Sequence, residues 1–241
     1  MRIAVFSDVH ANVHALQAVW ADLEAQRPDA VYCLGDLVGY GAYPNEVIEF
    51  LRQRQVPSVL GNYDEAVGFD LSECGCAYRR QEDRALGDQS LRWTQAHTSM
   101  EAKAHLQGFP LQIRLEEGSP KLLLVHGSPR KVNEYVYENR PRATFERIAR
   151  LAGADVLLLG HTHLRYQKRV GSSLFVNVGS VGKPKDGDPR AGYALLELGR
   201  RIHVQFQRVA YDVEAAALAV EQSGLPAGFA AELRLGGRLR E

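Results

Sequence analysis

Five short apolar segments of this chain are each followed, within two residues, by a side chain that can bind a metal ion. The segments are RIAVF at 2–6, AVYCL at 30–34, VPSVL at 56–60, KLLLV at 121–125 and DVLLL at 155–159. Their length and their branched side chains are typical of buried strands. A fold that aligns these strands in parallel brings the residues after them to one edge of a sheet. This pattern constrains the fold more than the composition does.

The sequence between these segments predicts helices. Leu16, Val19 and Leu23 recur at the spacing of one buried helix face. Pro44 begins a second predicted helix, because proline is favoured at the first helical position, and a third is predicted near 142–152. Strands that alternate with helices indicate an α/β fold with a parallel sheet.

The rest of the chain divides into three parts. Region 62–110 is expected to supply loops around a cleft, apart from a helix near 88–97. The second half is strand-rich and is expected to be partly antiparallel, with strands at 164–170, 174–178, 192–198 and 201–209. After an Ala-rich helix near 213–221, residues 223–241 are predicted to form a loosely ordered tail.

Composition narrows the classes of function. The chain has 241 residues and 45% hydrophobic content, which predicts one domain over 1–241. Its 29 Lys and Arg residues equal its 29 Asp and Glu residues, so no global positive field favours binding to duplex nucleic acid. A signal peptide and an apolar run of membrane-spanning length are both lacking, so we expect a cytoplasmic protein without a membrane partner. Cys33, Cys74 and Cys76 are predicted to be free thiols.

The residues that follow the strands form one set of potential ligands. It contains two carboxylates, one amide and four imidazoles: Asp8, His10, Asp36, Asn62, His126, His161 and His163. We expect them to converge, because ligands bind at the carboxyl ends of strands in α/β sheets. Mixed oxygen and nitrogen ligands suit manganese, iron, zinc or cobalt better than calcium or magnesium. Seven ligands exceed the need of one ion with an open position, but they fit two ions that share a carboxylate.

Several blocks of the sequence resemble the ordered signature blocks of the calcineurin-like metallophosphoesterases. They are SDVHAN at 7–12, GDLVGYG at 35–41, GNYD at 61–64, VHGSP at 125–129 and GHTH at 160–163. The segment at 177–198 is similar to a block of the small bacterial members. The resemblance implies a four-layer α/β/β/α sandwich of two mixed sheets, with a dinuclear metal site at one edge.

The resemblance also implies a role for each ligand. By position, Asp8, His10 and His163 would hold a first metal, Asn62, His126 and His161 a second, and Asp36 would bridge them. Members of the family use manganese, iron, zinc or nickel, and manganese or iron is favoured here. The implied activity is hydrolysis of phosphoester or phosphoanhydride bonds by a hydroxide that bridges the two ions. The predicted catalytic residues are Asp36, Asn62, Tyr63 and Asp64, and the predicted substrate-binding residues are Asn12, Tyr63 and His126.

One residue departs from the family pattern. Most members carry histidine at the third position of the GNHD block, where this chain has Tyr63. A phenol with a pKa of about 10 is a poorer proton donor at neutral pH than an imidazolium with a pKa of about 6.5. Substrates with good leaving groups are therefore favoured, such as nucleotide polyphosphates or activated diesters. Similar small bacterial members include dinucleoside tetraphosphate hydrolases, which makes such a small phosphorylated substrate compatible with this chain.

The sequence alone allows two interpretations of the role of some residues. Asn12 fits a phosphate contact and the N-cap of the following helix equally well. Tyr40, Tyr43 and Tyr63 fit either a stack on a nucleotide base or core packing. The ECGC segment at 73–76 is more typical of loop thiols than of a metal clip. GSVGKP at 179–184 lacks the residues of a P-loop and is expected to form a turn near the metals.

Three rival functions remain at this stage. A noncatalytic scaffold of the same fold would be expected to have lost Asp8, Asp36 or His126. A protein phosphatase would share the metal site and differ in its substrate. A structural zinc site is disfavoured, because such sites are closed and commonly rich in cysteine.

Overall fold

Nine strands and eight helices lie within the residues that the computed structural model describes, which are 1–78, 80–116, 120–199 and 201–237. The helices are α1 (Val13–Gln26), α2 (Pro44–Gln53), α3 (Asn62–Gly68), α4 (Gln81–His97), α5 (Met100–Gln107), α6 (Arg142–Ala152), α7 (Val213–Gln222) and α8 (Gly228–Leu235). The strands are β1 (Arg2–Phe6), β2 (Ala30–Cys33), β3 (Gln112–Leu115), β4 (Leu122–Val125), β5 (Val156–Leu159), β6 (Tyr166–Val170), β7 (Ser173–Asn177), β8 (Ala191–Leu198) and β9 (Ile202–Val209). No described helix is long and apolar enough to cross a membrane.

The strands form two mixed sheets. Sheet one has the order β2-β1-β8-β9, in which β1 pairs in parallel with β2 and antiparallel with β8. Sheet two has the order β3-β4-β5-β7-β6. Its three central strands are parallel, and β3 and β6 pair antiparallel at the edges. Each sheet therefore contributes parallel strands whose carboxyl ends carry the predicted ligands.

The two sheets pack face to face. Successive residues of a strand point to opposite faces, so β1 divides between two cores. Ile3 and Val5 pack in one buried cluster with residues of sheet two, including Leu124 and Leu158. This cluster is the layer between the sheets.

The outer face of each sheet is covered by helices. Phe6 of β1 packs in a second cluster with Leu16 and Val19 of α1. On the far side, Phe145 of α6 packs with Phe175 of β7 at a ring distance of 5.0 Å. Removing such a buried ring typically costs about 3–5 kcal/mol. The predicted four-layer α/β/β/α sandwich of two mixed sheets is confirmed.

The structure differs from the sequence prediction around the middle of the chain. Residues 56–60 form only one bridge, between Cys33 and Ser58, and Pro57 has no N–H to extend a ladder. Helix α4 begins at Gln81 and not near 88, and α3, α5 and β3 were not predicted. These short elements lack a long periodic pattern, and contacts with the rest of the fold stabilise them.

The predicted loose tail at 223–241 differs most clearly. Helix α8 lies within it, and its Phe229, Ala230 and Leu233 are buried against α7. Glu232 of the same helix forms an ion pair with Lys183. The apolar surface that orders α8 belongs to another part of the chain, so local periodicity could not reveal it. Residues 238–241 lie outside the described residues.

Candidate metal centre

The predicted ligands meet where the loops after four strands approach each other. Asp8 and His10 follow β1, and Asp36 follows β2. The two loops continue the pairing of their strands, because the Asp8 N–H donates to Gly35 O at 2.9 Å and the His10 N–H to Asp36 O at 3.0 Å. His126, His161 and His163 approach from the loops that follow β4 and β5 of sheet two. The centre therefore joins both sheets at their common edge.

The side chains form two groups with the geometry of metal ligands. Asp8, His10 and His163 make up one group, here called the first subsite, and their ligand atoms lie within 4.8 Å of one another. The second subsite consists of Asp36, His126, His161 and Asn62. Its first three residues meet the same distance criterion, and the Asn62 amide oxygen lies 3.1 Å from His126 Nε2. All seven side chains are buried.

Asp36 lies between the two subsites. Its Oδ2 is 3.4 Å from His126 Nε2 in the second subsite and 3.8 Å from His10 Nε2 in the first. Its Oδ1 accepts the backbone N–H of Tyr63 at 2.8 Å. One carboxylate oxygen is thus fixed by the backbone while the other faces both groups.

Three histidines have their tautomers set by backbone carbonyls. The Nδ1 atoms of His10, His126 and His163 lie 3.0, 2.7 and 2.5 Å from the carbonyls of Val38, Leu34 and Lys183. A carbonyl can only accept, so each Nδ1 carries a proton. The Nε2 lone pairs of the neutral rings then point into the subsites, which is the usual arrangement around a metal ion.

Within the subsites, atoms that are acceptors when the imidazole rings are neutral face one another. His10 Nε2 lies 3.2 Å from His163 Nε2. Asn62 Oδ1 faces His126 Nε2, and the Asn62 amide N–H₂ donates instead to the carbonyl of Cys74 at 2.9 Å. Such contacts are unfavourable unless a cation or a proton lies between the acceptors.

Two further polar atoms are suited to bind a cation. In the described part of the chain, Asp8 Oδ1 and His161 Nε2 are buried and have no hydrogen-bond partner. The other oxygen of Asp8 accepts the backbone N–H of His161 at 3.0 Å. Leaving buried polar atoms unpaired is costly, but metal coordination would satisfy both. The residues present therefore fit a metal ion in each subsite.

The ligand backbone is strained. Five ligand residues adopt positive φ angles between 49° and 63°, a region that non-glycine residues rarely occupy: Asp8, His10, Asp36, His161 and His163. Gly61 packs directly on Asp36, where an added Cβ would overlap the carboxylate. Strain of this kind persists only where the surrounding structure enforces it, and it is typical of functional sites.

Burial and charge set the protonation of the ligands when no metal is bound. Burial lowers the pKa of His161 to about 3 and that of His163 to about 4. Burial also acts to lower the pKa of His126, but the Asp36 carboxylate outweighs it and raises this pKa to about 9. In the metal-free protein a proton on His126 occupies the position next to Asp36, whereas His161 and His163 are neutral.

Asp64 and Tyr63, two of the predicted catalytic residues, have hydrogen-bond partners outside the subsites. Asp64 Oδ1 accepts the N–H of Leu37 at 2.8 Å and its Oδ2 that of Gly61 at 3.2 Å. Tyr63 is 1% exposed, and its hydroxyl donates to Gly87 O at 3.5 Å. We therefore interpret both residues as supports that position Asp36 and its loop, and their predicted catalytic roles stay predictions.

Asn12 and His126 also have defined structural partners. Asn12 is the N-cap of α1, since its Oδ1 accepts the N–H of Ala15 at 3.0 Å. Its amide donates to Gly182 O at 3.1 Å and to the Tyr211 hydroxyl at 3.2 Å. His126 turns its free nitrogen into the second subsite. The Asn12 side chain is thus fully engaged with protein groups, and the predicted substrate contacts of both residues stay predictions.

The three tyrosines that could either stack on a nucleotide base or pack in the core lie against neighbouring rings. Tyr40 and Tyr63 are 4.6 Å apart between ring centroids, and His10 meets both rings edge-on. Tyr43 lies edge-on to His14 at 5.6 Å. Core packing thus accounts for Tyr40 and Tyr63.

Two residues near the centre were not predicted from the sequence. The Tyr135 ring lies 3.9 Å from the His161 ring, in a loop without periodic pattern. Cys76 Sγ accepts from the Asn62 amide at 3.3 Å, so a thiol of the ECGC segment helps to orient a ligand. Only the position of ECGC shortly after GNYD hinted at this contact.

The turn at 179–184 lies beside the metal centre as expected, because Gly182 N–H donates to Asp8 O at 3.0 Å.

Comparison with known proteins assigns this arrangement to a family. A profile of the calcineurin-like phosphoesterase superfamily domain matches residues 1–201. The chain belongs to this superfamily. For a calcineurin-like phosphoesterase, the two buried groups of metal-binding side chains support metal-dependent phosphoesterase activity.

Individual relatives extend over nearly the whole calcineurin-like chain. An uncharacterized protein of Methanocaldococcus jannaschii is 29% identical over 251 residues, which are 97% of this chain and 98% of the relative. A metallophosphoesterase structure from Sphaerobacter thermophilus is 32% identical, with a TM-score of 0.77 and coverage of 98% of this chain and 100% of that one. A hypothetical protein from Pyrococcus horikoshii, 21% identical with 98% coverage of both chains, shares the fold at a TM-score of 0.83.

Proposed function

We propose that this chain is a dinuclear metal-dependent phosphohydrolase that cleaves phosphoester or phosphoanhydride bonds. The observation that carries the proposal is the position of Asp36 Oδ2, within 3.8 Å of a ligand nitrogen in each subsite. A shared carboxylate at this position is what a pair of adjacent ions requires. Asp8, His10 and His163 would hold one ion, and Asn62, His126 and His161 the other.

Two ions held in this way would supply a nucleophile at neutral pH and would neutralise the oxygens of a phosphate group. The chain itself supplies the orientation of the ligands. Backbone N–H groups fix one oxygen each of Asp8 and Asp36, and three carbonyls fix the imidazole rings. Because these partners belong to the backbone, the geometry is set before a substrate binds.

We propose small phosphorylated substrates with good leaving groups, such as nucleotide polyphosphates or activated diesters. The Tyr63 hydroxyl is buried and its pKa is raised by burial, so it cannot supply the proton that a basic leaving group needs. Phosphoanhydrides and aryl phosphates leave as weakly basic anions and do not need that proton. Dinucleoside polyphosphates belong to this class.

A substrate panel tests the proposal. The purified protein, stripped with chelator and reloaded with manganese, iron, zinc or nickel, is assayed on nitrophenyl phosphate, bis-nitrophenyl phosphate, dinucleoside polyphosphates, mononucleotides and a phosphopeptide. We expect turnover that requires metal, with manganese or iron most effective, and that is greatest on the activated substrates. Preference for the phosphopeptide would favour a protein phosphatase. Two bound ions without turnover of any substrate would contradict the proposal and favour a noncatalytic metal-binding scaffold.

A further inference from the structure

A cleft of about 770 Å³ borders the metal centre on the side of sheet two. Its lining comes from two segments of the chain, 137–140 and 164–166. The second segment begins directly after His163, a residue of the first subsite. The first segment follows Tyr135, whose ring lies 3.9 Å from the ring of His161 in the second subsite. Each wall of the cleft is therefore attached to a residue of the metal centre.

Two hydrogen bonds join the walls of this cleft. The Tyr166 hydroxyl donates to the carbonyl of Val136 at 2.6 Å, and the Lys168 ammonium donates to the carbonyl of Glu138 at 2.6 Å. Both acceptors belong to the backbone of the first wall, so the two walls are held at a fixed separation. A cleft that is formed in advance reduces the entropy lost when a ligand binds.

Arg165 lines the cleft from the second wall. Its Cβ lies beside Gly179, which places the base of the side chain next to the turn that packs on the first subsite. The side chain is exposed, and its Nε lies 3.9 Å from Asp186 Oδ2, too far for a hydrogen bond. The same carboxylate oxygen already forms a close ion pair with Arg208. The charge of Arg165 is therefore only partly compensated within the protein.

Arg140 lines the cleft from the first wall. Its backbone N–H donates to the carbonyl of Tyr137 at 3.0 Å, and its side-chain Nε donates to the carbonyl of Tyr135 at 3.4 Å. Among the described residues its guanidinium forms no ion pair with a carboxylate. The loop thus orients this side chain through one of its five N–H donors and leaves its charge uncompensated.

The charges around the cleft favour an anion. Arg140 and Arg165 contribute two positive charges to the lining, and Glu138 contributes one negative charge. The ammonium of Lys168, which binds the Glu138 carbonyl, adds a further positive charge. The adjacent centre is also positive when it holds its ions. Guanidinium groups are well suited to phosphate, because their planar array of donors matches two phosphate oxygens at once.

The size of the cleft favours a small ligand. Its volume of about 770 Å³ falls within the range of about 300–1,000 Å³ that is typical of sites for small molecules. The equal numbers of acidic and basic residues in the chain do not favour a long nucleic acid. A substrate whose scissile phosphate lies at the metal centre can extend its further phosphates into a cleft whose walls carry His161 and His163.

We propose that this cleft binds the phosphate groups of a nucleotide substrate beyond the one that is cleaved, and that Arg140 and Arg165 hold them. The inference rests on the proposed hydrolysis and narrows its substrates to nucleoside polyphosphates, in preference to diesters with a single phosphate. One arginine on each wall binds the polyphosphate chain from both sides of the cleft. Neither arginine transfers a proton.

Binding of a non-hydrolysable ATP analogue, with methylene groups in place of both P–O–P oxygens, tests the inference on the manganese-loaded protein. Arg140→Met and Arg165→Met each remove one charge, and the corresponding lysine variants keep it. Arg169→Met is the matched control, because Arg169 is exposed near the other end of β6. By calorimetry, we expect each methionine variant to bind the analogue about tenfold more weakly, the loss of a hydrogen bond to a charged group. The lysine variants should lose less, and Arg169→Met should change binding less than about twofold.

Inorganic phosphate supplies the comparison, because it fits the metal centre without reaching the cleft. In the variant that carries both methionines, binding of the analogue should weaken at least about fivefold more than binding of phosphate. The same variant should lower kcat/KM on diadenosine tetraphosphate at least about tenfold more than on bis-nitrophenyl phosphate. Metal content must stay at two ions per chain.

Four results would each overturn the inference. They are binding of the analogue within about twofold of the wild type in the double variant, an equal loss of phosphate binding, an equal loss in Arg169→Met, and loss of metal from the double variant. If binding of the analogue depends on both arginines but no substrate is hydrolysed, the proposed function fails and the inference stands.

Discussion

The backbone N–H of Tyr63 donates to Asp36 Oδ1 at 2.8 Å and thereby aims Oδ2 of the same carboxylate at both metal subsites. The contact comes from the first turn of α3, in which Gly61 leaves room for Asp36. A bridging ligand is therefore positioned by backbone that does not itself bind metal. This arrangement lets side-chain and backbone contributions be tested separately.

Substitution of Asp36 tests the bridge. In Asp36→Asn the amide oxygen can still accept from Tyr63, but an N–H₂ group replaces Oδ2 and points at the two subsites. We expect fewer than two ions per chain by elemental analysis and a loss of hydrolysis of at least about a hundredfold, with an unchanged circular dichroism spectrum. Asp29→Asn, a change at the other end of β2, serves as the control. Two bound ions and normal turnover in Asp36→Asn would exclude the bridging role.

The two histidines of GHTH should affect different ions. His161 belongs to the second subsite and His163 to the first, although only one residue separates them. His161→Ala and His163→Ala should each keep about one tightly held ion and lose most activity, because attack on phosphorus needs both ions. His203→Ala, on an exposed position of β9, should keep both. Full activity of either variant at limiting manganese would argue against a shared mechanism.

The proton on His126 should make the stability of the metal-free protein depend on pH. The pKa of His126 in the folded state is raised from 6.5 to about 9. Below pH 6.5 the protonated imidazole therefore makes its full contribution to the free energy of unfolding. This contribution, roughly 3 kcal/mol, is lost as pH rises through about 9. Urea unfolding with chelator present should show the loss in wild type and in His203→Asn, but not in His126→Asn. An identical pH profile in wild type and His126→Asn would contradict the assignment.

Manganese binding to the second subsite should therefore strengthen as pH rises over the same range, since the ion must displace the proton on His126.

Cys76 should influence the same subsite through Asn62. Cys76→Ala removes one of two acceptors of the Asn62 amide, and we expect about tenfold weaker binding at the second subsite. Cys76→Ser keeps an acceptor and should restore binding in a manganese titration. Equal affinity in wild type and Cys76→Ala would show that Cys74 O alone orients Asn62.

Rates should depend steeply on the leaving group. Across aryl and alkyl phosphates, log rate should fall as the pKa of the leaving group rises, because Tyr63 does not deliver a proton. Tyr63→Phe should leave this slope unchanged, since the hydroxyl points to Gly87, and should lower the free energy of unfolding by about 0.5–1.5 kcal/mol. Alkyl phosphates cleaved as fast as nitrophenyl phosphate would refute this expectation.

Six of the seven candidate metal ligands were predictable from the sequence because each lies in a loop that directly follows β1, β2, β4 or β5. Asp8, Asp36 and His126 needed only the rule that carboxyl ends of parallel strands share an edge. The roles of Tyr63 and Asp64 were not predictable in the same way. Asn62, Tyr63 and Asp64 open α3, where successive side chains point about 100° apart, so neighbours in sequence face different parts of the molecule.

Contacts between distant segments also escaped prediction. Tyr135 meets His161 from a loop without periodicity, and α8 is ordered by the surface of α7. Lys185 stands next to a strand-end turn, but only the tertiary structure brings Gly237 against it. In each case the energy of the contact comes from a partner far along the chain, which no local pattern encodes.

The pairing of β1 with β8 has a consequence for synthesis on the ribosome. Strand β1 is the first to be made, yet one of its two edges pairs only with a strand that begins at Ala191. At about 5 to 20 residues per second, roughly 10 to 40 seconds pass before that partner emerges. During this interval an apolar strand with an open edge is exposed to other chains. The carboxylate of Asp8, two residues beyond that strand, therefore reaches its final position late in the life of the nascent chain.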